Sequence, residues 1–315
     1  MIDVVALGEL LIDFAAKSTD AAGYPTMAAN PGGAPGNFLA ALNAYGRKTA
    51  FLGKVGNDAF GRLLLGTLNA AGIVTKGIVV DDSVFTTLAF VTFDESGDRS
   101  FSFARKPGAD TQLSWEEIDK SLIDEARVFH FGTLSLTDEP VRTATQKAVA
   151  YAKEHGKLIS CDPNLRLPLW KTKEAAKEQM LWSLHQADVV KISDNEVEFL
   201  WGCTPEAGAE KLLTEFGVGL AMVTLGPDGC LLKTKNASFR AACPKVHPID
   251  TTGAGDIFGG SAVSRLLELE KPIDALTEAD LAYIGCFAAT AASLSTEASG
   301  GIPSIPEKEA VLKAM

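Results

Sequence analysis

The chain is poor in the residues that build several common kinds of site. Its five cysteines, Cys161, Cys203, Cys230, Cys243 and Cys286, are scattered without a C-x-x-C pair, and its four histidines sit at no zinc-ligand spacing. No disulfide framework and no thiolate–imidazole zinc site is expected. Reduced thiols of this kind suit a cytoplasmic protein. Positive charge is in deficit: the net charge is −11 and the pI about 4.9. That argues against nucleic acid or an anionic membrane surface as a partner. No apolar run is long enough to span a bilayer; residues 281–294 are too few and too rich in Ala, and read as a buried helix. The start, Met1-Ile2-Asp3, has no basic stretch, and Glu9 and Asp13 interrupt the apolar run that follows, so no signal peptide is expected. There is no P-loop string and no G-x-G-x-x-G after the first apolar run, which speaks against those two phosphate cradles. Internal repeats, low-complexity tracts and long linkers are missing too.

What is present is an ordinary globular composition over 315 residues, 46% apolar and 22% charged. Continuous apolar runs alternate with helical patterns, which predicts an α/β fold with a mostly parallel central sheet. The first strand is expected from Val4 toward Asp13. A helix opened by Asn37 closes at Gly46, and another over 62–71 stops at Gly72. Strands are expected over 49–55, 127–132, 157–161, 188–192 and 220–225, with an amphipathic helix over 139–154. One stretch breaks the pattern. Residues 87–93 and 99–103 are β-rich and joined by Asp94-Glu95-Ser96-Gly97-Asp98, a hairpin with turn chemistry at its tip. Residues 14–30 are expected to add strands to it. A small apolar sheet outside the main sheet needs cover, and the reading is a lid over a substrate, paired with its twin in a homodimer.

The chemistry concentrates in Ile249-Asp250-Thr251-Thr252-Gly253-Ala254-Gly255-Asp256. Gly253, Ala254 and Gly255 permit a tight turn that brings backbone N–H groups to a ligand. The small residues that follow can begin a closely packed helix, so the turn would be a helix N-terminus and an anion site. Asp256 is a carboxylate placed against that site. A general base for a hydroxyl attacking a phosphoryl group belongs there. At the end of the 157–161 strand, Asp162-Pro163-Asn164-Leu165-Arg166 forms a polar cluster where α/β proteins place ligands. Arg166 is positioned to hold a transferring phosphate, and Asp162 to reach a hydrated Mg²⁺. Arg105, just after the hairpin, reads either as part of a solvated basic pair or as a hinge residue facing hydroxyls or phosphate.

Asp-Thr-Thr-Gly-Ala-Gly-Asp at 250–256 resembles the C-terminal signature of the ribokinase-like (pfkB) carbohydrate kinases, and Pro-Gly-Gly-Ala-Pro-Gly-Asn at 31–37 resembles their N-terminal one. Both occur in order, and the likeness runs from Val4 to about Pro306. Within the family, Gly-Glu-Leu-Leu-Ile-Asp-Phe at 8–14, Asp-Pro-Asn-Leu-Arg at 162–166 and the lid hairpin look most like bacterial fructokinases. The resemblance implies a three-layer α/β/α kinase domain over the whole chain, with a β lid inserted at about 14–30 and 85–105. It implies that Asp13, Gly32, Gly33, Asn37 and Arg105 meet the sugar and that Arg166 contacts it or the phosphate. Ser193, Thr224, Gly226 and Gly229 fall on the nucleotide side with Gly253 and Gly255. Glu196 would act on Mg²⁺ through water, with Ser193 where the family usually has Asn. Tyr283, Phe287 and Ala288 would wall the adenine. Asp250 and Thr252, with the loop over 293–301, would offer oxygens to K⁺, although that loop departs from the family's Thr-Arg-x-Gly-Ala pattern. The implied reaction moves the γ-phosphoryl of ATP to a ketohexose, D-fructose first. Alternatives are 2-keto-3-deoxygluconate or a nucleoside as acceptor in the same family, or a non-catalytic sugar-binding regulator.

Overall fold

The computed structural model describes residues 1–93 and 99–315, with the side chains of 91–93 and 99–101 also left aside. The turn expected at 94–98, and the sides taken by Val91 and Phe101, lie outside the described residues. Thirteen strands are described: β1 (Ile2–Leu7), β2 (Leu11–Thr19), β3 (Pro25–Gly32), β4 (Thr49–Gly56), β5 (Val74–Asp81), β6 (Thr87–Phe93), β7 (Arg99–Ala104), β8 (Ala126–Gly132), β9 (Leu158–Asp162), β10 (Val189–Ser193), β11 (Leu220–Thr224), β12 (Cys230–Lys233) and β13 (Ser238–Ala241). The helices are α1 (Ala34–Ala44), α2 (Ala59–Ala70), α3 (Lys120–Glu125), α4 (Val141–Glu154), α5 (Lys173–Gln186), α6 (Asp194–Trp201), α7 (Pro205–Thr214), α8 (Ala254–Leu269), α9 (Glu278–Ser295) and α10 (Lys308–Ala314).

Nine strands form one sheet in the order β13-β12-β11-β10-β9-β8-β1-β4-β5, parallel except where β12 and β13 join antiparallel. Alternation along each strand sends side chains to opposite faces. Val5, Leu7, Phe129, Phe131, Val190 and Ile192 face helices α3 to α7, while Val4, Ala6, Val128, Val189 and Met222 face α1, α2, α8 and α9. Both faces are therefore dry, and the three-layer α/β/α expectation holds. After β1 the strand order runs outward in two directions, through β4 on one side and β8 on the other. Such a reversal leaves a crevice at the carboxyl ends of the strands.

The remaining four strands make a second sheet in the order β3-β2-β6-β7, with β2 parallel to β6. The first strand differs from its expectation here. β1 stops at Leu7, and Gly8, which follows, passes so close to Pro35 that a Cβ there would meet the ring at 2.6 Å. The chain turns, and Asp13 belongs to β2, paired with Asn30 and Ala89 in the second sheet. Phe14 anchors that sheet to the main body, stacked on Phe90 and edge-on to Phe60 of α2.

Two helix starts also move. α1 begins at Ala34, with Pro35 in its first turn and Gly33 as N-cap, so Asn37 lies one turn inside rather than opening the helix. α2 begins at Ala59. Asp58 caps it, accepting from Phe60 N and Gly61 N at 2.9 and 2.8 Å, and also takes Thr86 N at 2.8 Å. Asp58→Ala is expected to lower stability by about 1–2 kcal/mol. Urea unfolding would register this as a lower midpoint at unchanged slope.

Candidate active site

The start of α8 sets the site. Gly253 is its N-cap at φ 79°, a left-handed conformation that a side chain disfavours. The α8 positions Gly259 and Gly260 lie against Phe38, and a Cβ on Gly260 would also meet Ala41 at 2.9 Å, so glycine there lets α8 press onto α1. That contact brings Asn37 of α1 to Asp256: its Nδ2 donates to Asp256 Oδ2 at 2.9 Å. A Cβ on either Gly253 or Gly301 would meet the Asn37 amide, so both glycines serve the same approach. Burial pushes the Asp256 carboxyl above its ordinary pKa, while the Asn37 bond and the charges of Lys191 and Arg166 oppose the rise.

A cavity of about 720 Å³ opens in front of Asp256. Its size suits a small ligand together with a nucleotide's phosphates. The second sheet forms one wall through Asp13, Asn30 and Phe103; the main sheet supplies Arg166, Lys191, Ser193, Glu196 and Thr224 from its carboxyl ends. The site therefore lies in the crevice that the topology predicts. Gly32, Gly33, Asn37, Asp250, Thr252, Gly253, Gly255 and Gly226 also reach this wall, as expected. Ala254 is the first residue of α8, within the same turn.

Asp13 sits opposite Asp256. Burial raises its pKa to about 6, with repulsion from Asp256 and Asp250 adding to the rise and Arg166 opposing it. A Cβ on Gly32 would overlap the Asp13 carboxylate, so that carboxylate lies directly on the glycine pair. Gly33 is at φ 116°, and a Cβ there would meet the Glu9 carbonyl at 2.5 Å. Ser193 and Glu196 form a capping box on α6: Glu196 Oε2 accepts from Ser193 N and Oγ, both at 2.8 Å, and its Oε1 takes Leu165 N at 2.7 Å. Asp250 Oδ1 accepts from Thr252 N and Oγ1, and its Oδ2 accepts from Gly300 N at 3.0 Å, closing the two loops named for K⁺.

Four expectations are corrected. Arg105 does not face the cavity. Its Nε donates to Asp110 Oδ2 at 2.8 Å, Nη1 to Thr137 Oγ1 at 2.8 Å and Nη2 to the Leu134 carbonyl at 2.9 Å, and the residue is 6% exposed. Asp110 also takes the Thr87 hydroxyl. The guanidinium is thus a buried rivet between the second sheet and the turn after β8. Asp162 lies off the cavity wall, buried, with Lys191 Nζ on its Oδ2 at 3.0 Å, so its carboxylate answers a cation of the protein rather than Mg²⁺. Gly229 is also off the wall; its absent Cβ makes room for the Ala241 carbonyl in the β12–β13 hairpin. Phe287 packs edge-on to Tyr45 and under the Arg265 guanidinium, and the Tyr283 hydroxyl bonds Glu268, so these side chains are taken up by contacts within the protein and lie off the cavity wall.

Sequence reasoning missed two residues. Glu9, 3% exposed, borders the cavity and accepts from Ala34 N at 2.9 Å, fixing the turn at the glycine pair; burial pushes its pKa up to about 7. Lys191 interrupts the apolar run Val189-Val190-Lys191-Ile192. A lysine inside a buried strand is a signal, since such a residue must be paired. It is not a specific one: Lys54 inside β4 is equally buried and is held by Asp81, Glu117 and the Gln112 carbonyl, away from the site.

A doubly covered parallel sheet, a glycine-capped helix start carrying a carboxylate and a second sheet walling the crevice together define the ribokinase-like kinase architecture. The comparisons agree. The profile of the pfkB family carbohydrate kinases matches residues 1–308. Fructokinase-1 of Zea mays is 41% identical over 315 residues, covering 98% of this chain and 96% of that one. The crystal structure of a Xylella fastidiosa fructokinase with bound ATP superimposes with TM-score 0.91 at 29% identity, covering 100% of this chain and 98% of that one. That of a Vibrio cholerae fructokinase in its fructose, ADP and calcium ion bound form does so with TM-score 0.87 at 32% identity, covering 99% of each. The chain belongs to the pfkB family of carbohydrate kinases.

Proposed function

We propose that this kinase transfers the γ-phosphoryl group of ATP to the primary hydroxyl of D-fructose, giving fructose 6-phosphate. The observation that carries the reading is Asp256, fixed by Asn37 at the start of α8 and facing the cavity. In this mechanism Asp13 and Asn37 hold the sugar on the Gly32–Gly33 turn. Asp256 orients the attacking hydroxyl and accepts its proton. The N–H groups at the start of α8 stabilise the charge that grows on the transferring phosphoryl, each donor being worth on the order of 3–4 kcal/mol. Arg166, exposed on the wall, meets the phosphates. Ser193, Thr224 and Gly226 border the nucleotide.

Magnesium enters with the nucleotide and neutralises phosphate charge. Glu196 is the hard oxygen ligand on the phosphate side of the cavity, suited to hold it through water. Potassium would lie against Asp250 and Thr252, sharing the oxygens that already close that loop; stimulation by K⁺ over Na⁺ at equal ionic strength tests this. One kinase domain spans the chain in this reading, with residues 14–30 and 85–105 as an inserted lid that pairs in a homodimer. Light scattering checks the dimer.

The acceptor side favours a neutral polyol. Glu9, Asp13 and Asp256 line it, and the cation that would have welcomed a sugar acid, Arg105, is tied to Asp110. Phe103 is the one aromatic residue on the wall among the described residues, so a nucleoside base finds no pair of rings to stack between. The test is ADP release from MgATP with fructose, glucose, ribose, 2-keto-3-deoxygluconate, adenosine and fructose 6-phosphate in turn. Strong preference for fructose is expected. Preference for another acceptor would overturn the substrate, and no turnover with any would overturn the kinase reading.

A pH profile follows from the same geometry. Only the ionised base accepts a proton, and burial holds Asp256 protonated to higher pH than an exposed Asp. As pH falls, kcat/KM should drop through a limb shared with Asp13, whose value is about 6. A flat profile down to the ordinary carboxylate range would contradict this.

A further inference from the structure

Lys191 has no part in the reaction above, yet it is the one buried cation among the described residues that line the cavity. It is 8% exposed. Its Nζ donates to Asp162 Oδ2 at 3.0 Å, and among the described residues this is its one hydrogen-bond acceptor for three ammonium hydrogens. A Cβ on Gly255 would meet that Nζ at 3.0 Å, so the ammonium lies directly against the turn between Gly253 and Asp256. The charged groups around Asp256 come from four elements: Lys191 of β10, Asp162 of β9, Arg166 after β9 and Asp13 of β2, with the neutral Asn37 amide from α1. Arg166 is exposed and water screens its charge, whereas Lys191 acts through protein.

We infer that Lys191 is a positioning residue for the catalytic base: held by Asp162 and pressed against Gly255, its ammonium keeps the Asp256 carboxylate ionised in a site that would otherwise protonate it. It neither takes the proton nor binds the sugar. Burial disfavours the charge on Lys191, but Asp162, Glu196 and Asp256 together outweigh it and hold its pKa above the ordinary lysine value. The cation is therefore present throughout the pH range in which the base titrates. This inference rests on the reading of Asp256 as the base.

The test compares Lys191→Met, Lys191→Arg and the double variant Lys191→Met/Asp162→Asn. The double variant leaves no unpaired buried carboxylate, so it separates loss of folding from loss of function. For the wild type and each variant, kcat/KM is followed against pH, with KM for ATP and for the acceptor and thermal unfolding alongside. Both Met variants should show the acid limb moved up by at least about one pH unit, hence a loss that reaches about tenfold or more at pH below the wild-type limb and that alkaline pH largely restores. Both KM values should stay within about threefold of the wild type, since only the base's ionisation is altered. Lys191→Arg should return the limb toward its original position. A Met variant that folds with the limb unmoved would overturn the inference, as would an equal loss at every pH. So would a raised KM for ATP at unchanged kcat, which would make Lys191 a plain phosphate ligand. If Asp256→Asn stays active, the base reading itself has failed. If Asp256→Asn is inactive while Lys191→Met keeps the wild-type limb, only the positioning role has failed.

Discussion

Asp256→Asn should lower kcat by about a thousandfold and leave ATP binding nearly unchanged. The substitution is close to isosteric, and the amide oxygen can still accept from Asn37 Nδ2, so the turn keeps its shape. What is lost is the acceptor for the hydroxyl proton, an interaction made only as the reaction proceeds. Removing such an interaction lowers kcat and kcat/KM together rather than raising KM. Thermal stability should not fall, because burial already disfavours the carboxylate and the neutral amide has no charge to desolvate. Steady-state kinetics with equilibrium ATP binding and a melting curve give all three quantities. A drop in kcat of less than about tenfold would remove Asp256 from the role of base, since general bases contribute far more than that.

Arg105→Met should act on stability instead. Its side chain and that of Asp110 are 3% and 1% exposed, and three donors of the guanidinium have protein acceptors. Taking the cation away leaves Asp110 buried with, among the described residues, only the Thr87 hydroxyl donating to it. Breaking a buried pair in this way typically costs about 3–5 kcal/mol. The melting temperature should fall by many degrees, and acceptor KM measured well below it should change little. If Arg105 met the sugar, the reverse pattern would appear: a large rise in acceptor KM with the melting temperature held. Arg105→Met/Asp110→Leu, which removes both charges, should regain much of the lost stability, because no buried carboxylate is then left unpaired.

Much of this molecule is legible in its sequence. The apolar runs at Val4–Leu7, Val128–Phe131 and Leu220–Val223 read as doubly covered parallel strands because such strands face helices on both sides. Gly-Ala-Gly-Asp by itself reads equally as a capped turn; the longer string at 250–256 and the second signature at 31–37 are what point to a phosphate-side carboxylate. The hairpin over 87–93 and 99–103 is equally plain, since period-two patterning and turn residues are local properties.

What the sequence could not settle is where side chains go once chain segments meet. Arg105 directly follows β7 of the second sheet and is within reach of several acceptors; only the fold brings Asp110, Thr137 and Leu134 around it and turns it from the cavity. Asp162 looked like a metal ligand until β10 placed Lys191 beside it. Asp13 falls in the second sheet rather than the first strand, and the close passage of Gly8 against Pro35 beside that break is a contact between segments distant in the chain. Composition and periodicity thus pointed to a parallel sheet covered on both faces, a separate β-hairpin and a glycine-lined turn with an acid, because each follows from neighbours within a few residues. Tertiary structure alone decided which buried charges pair with each other and which remain facing the cavity. That choice depends on contacts between residues as far apart as Asn37 and Asp256, separated by 219 positions.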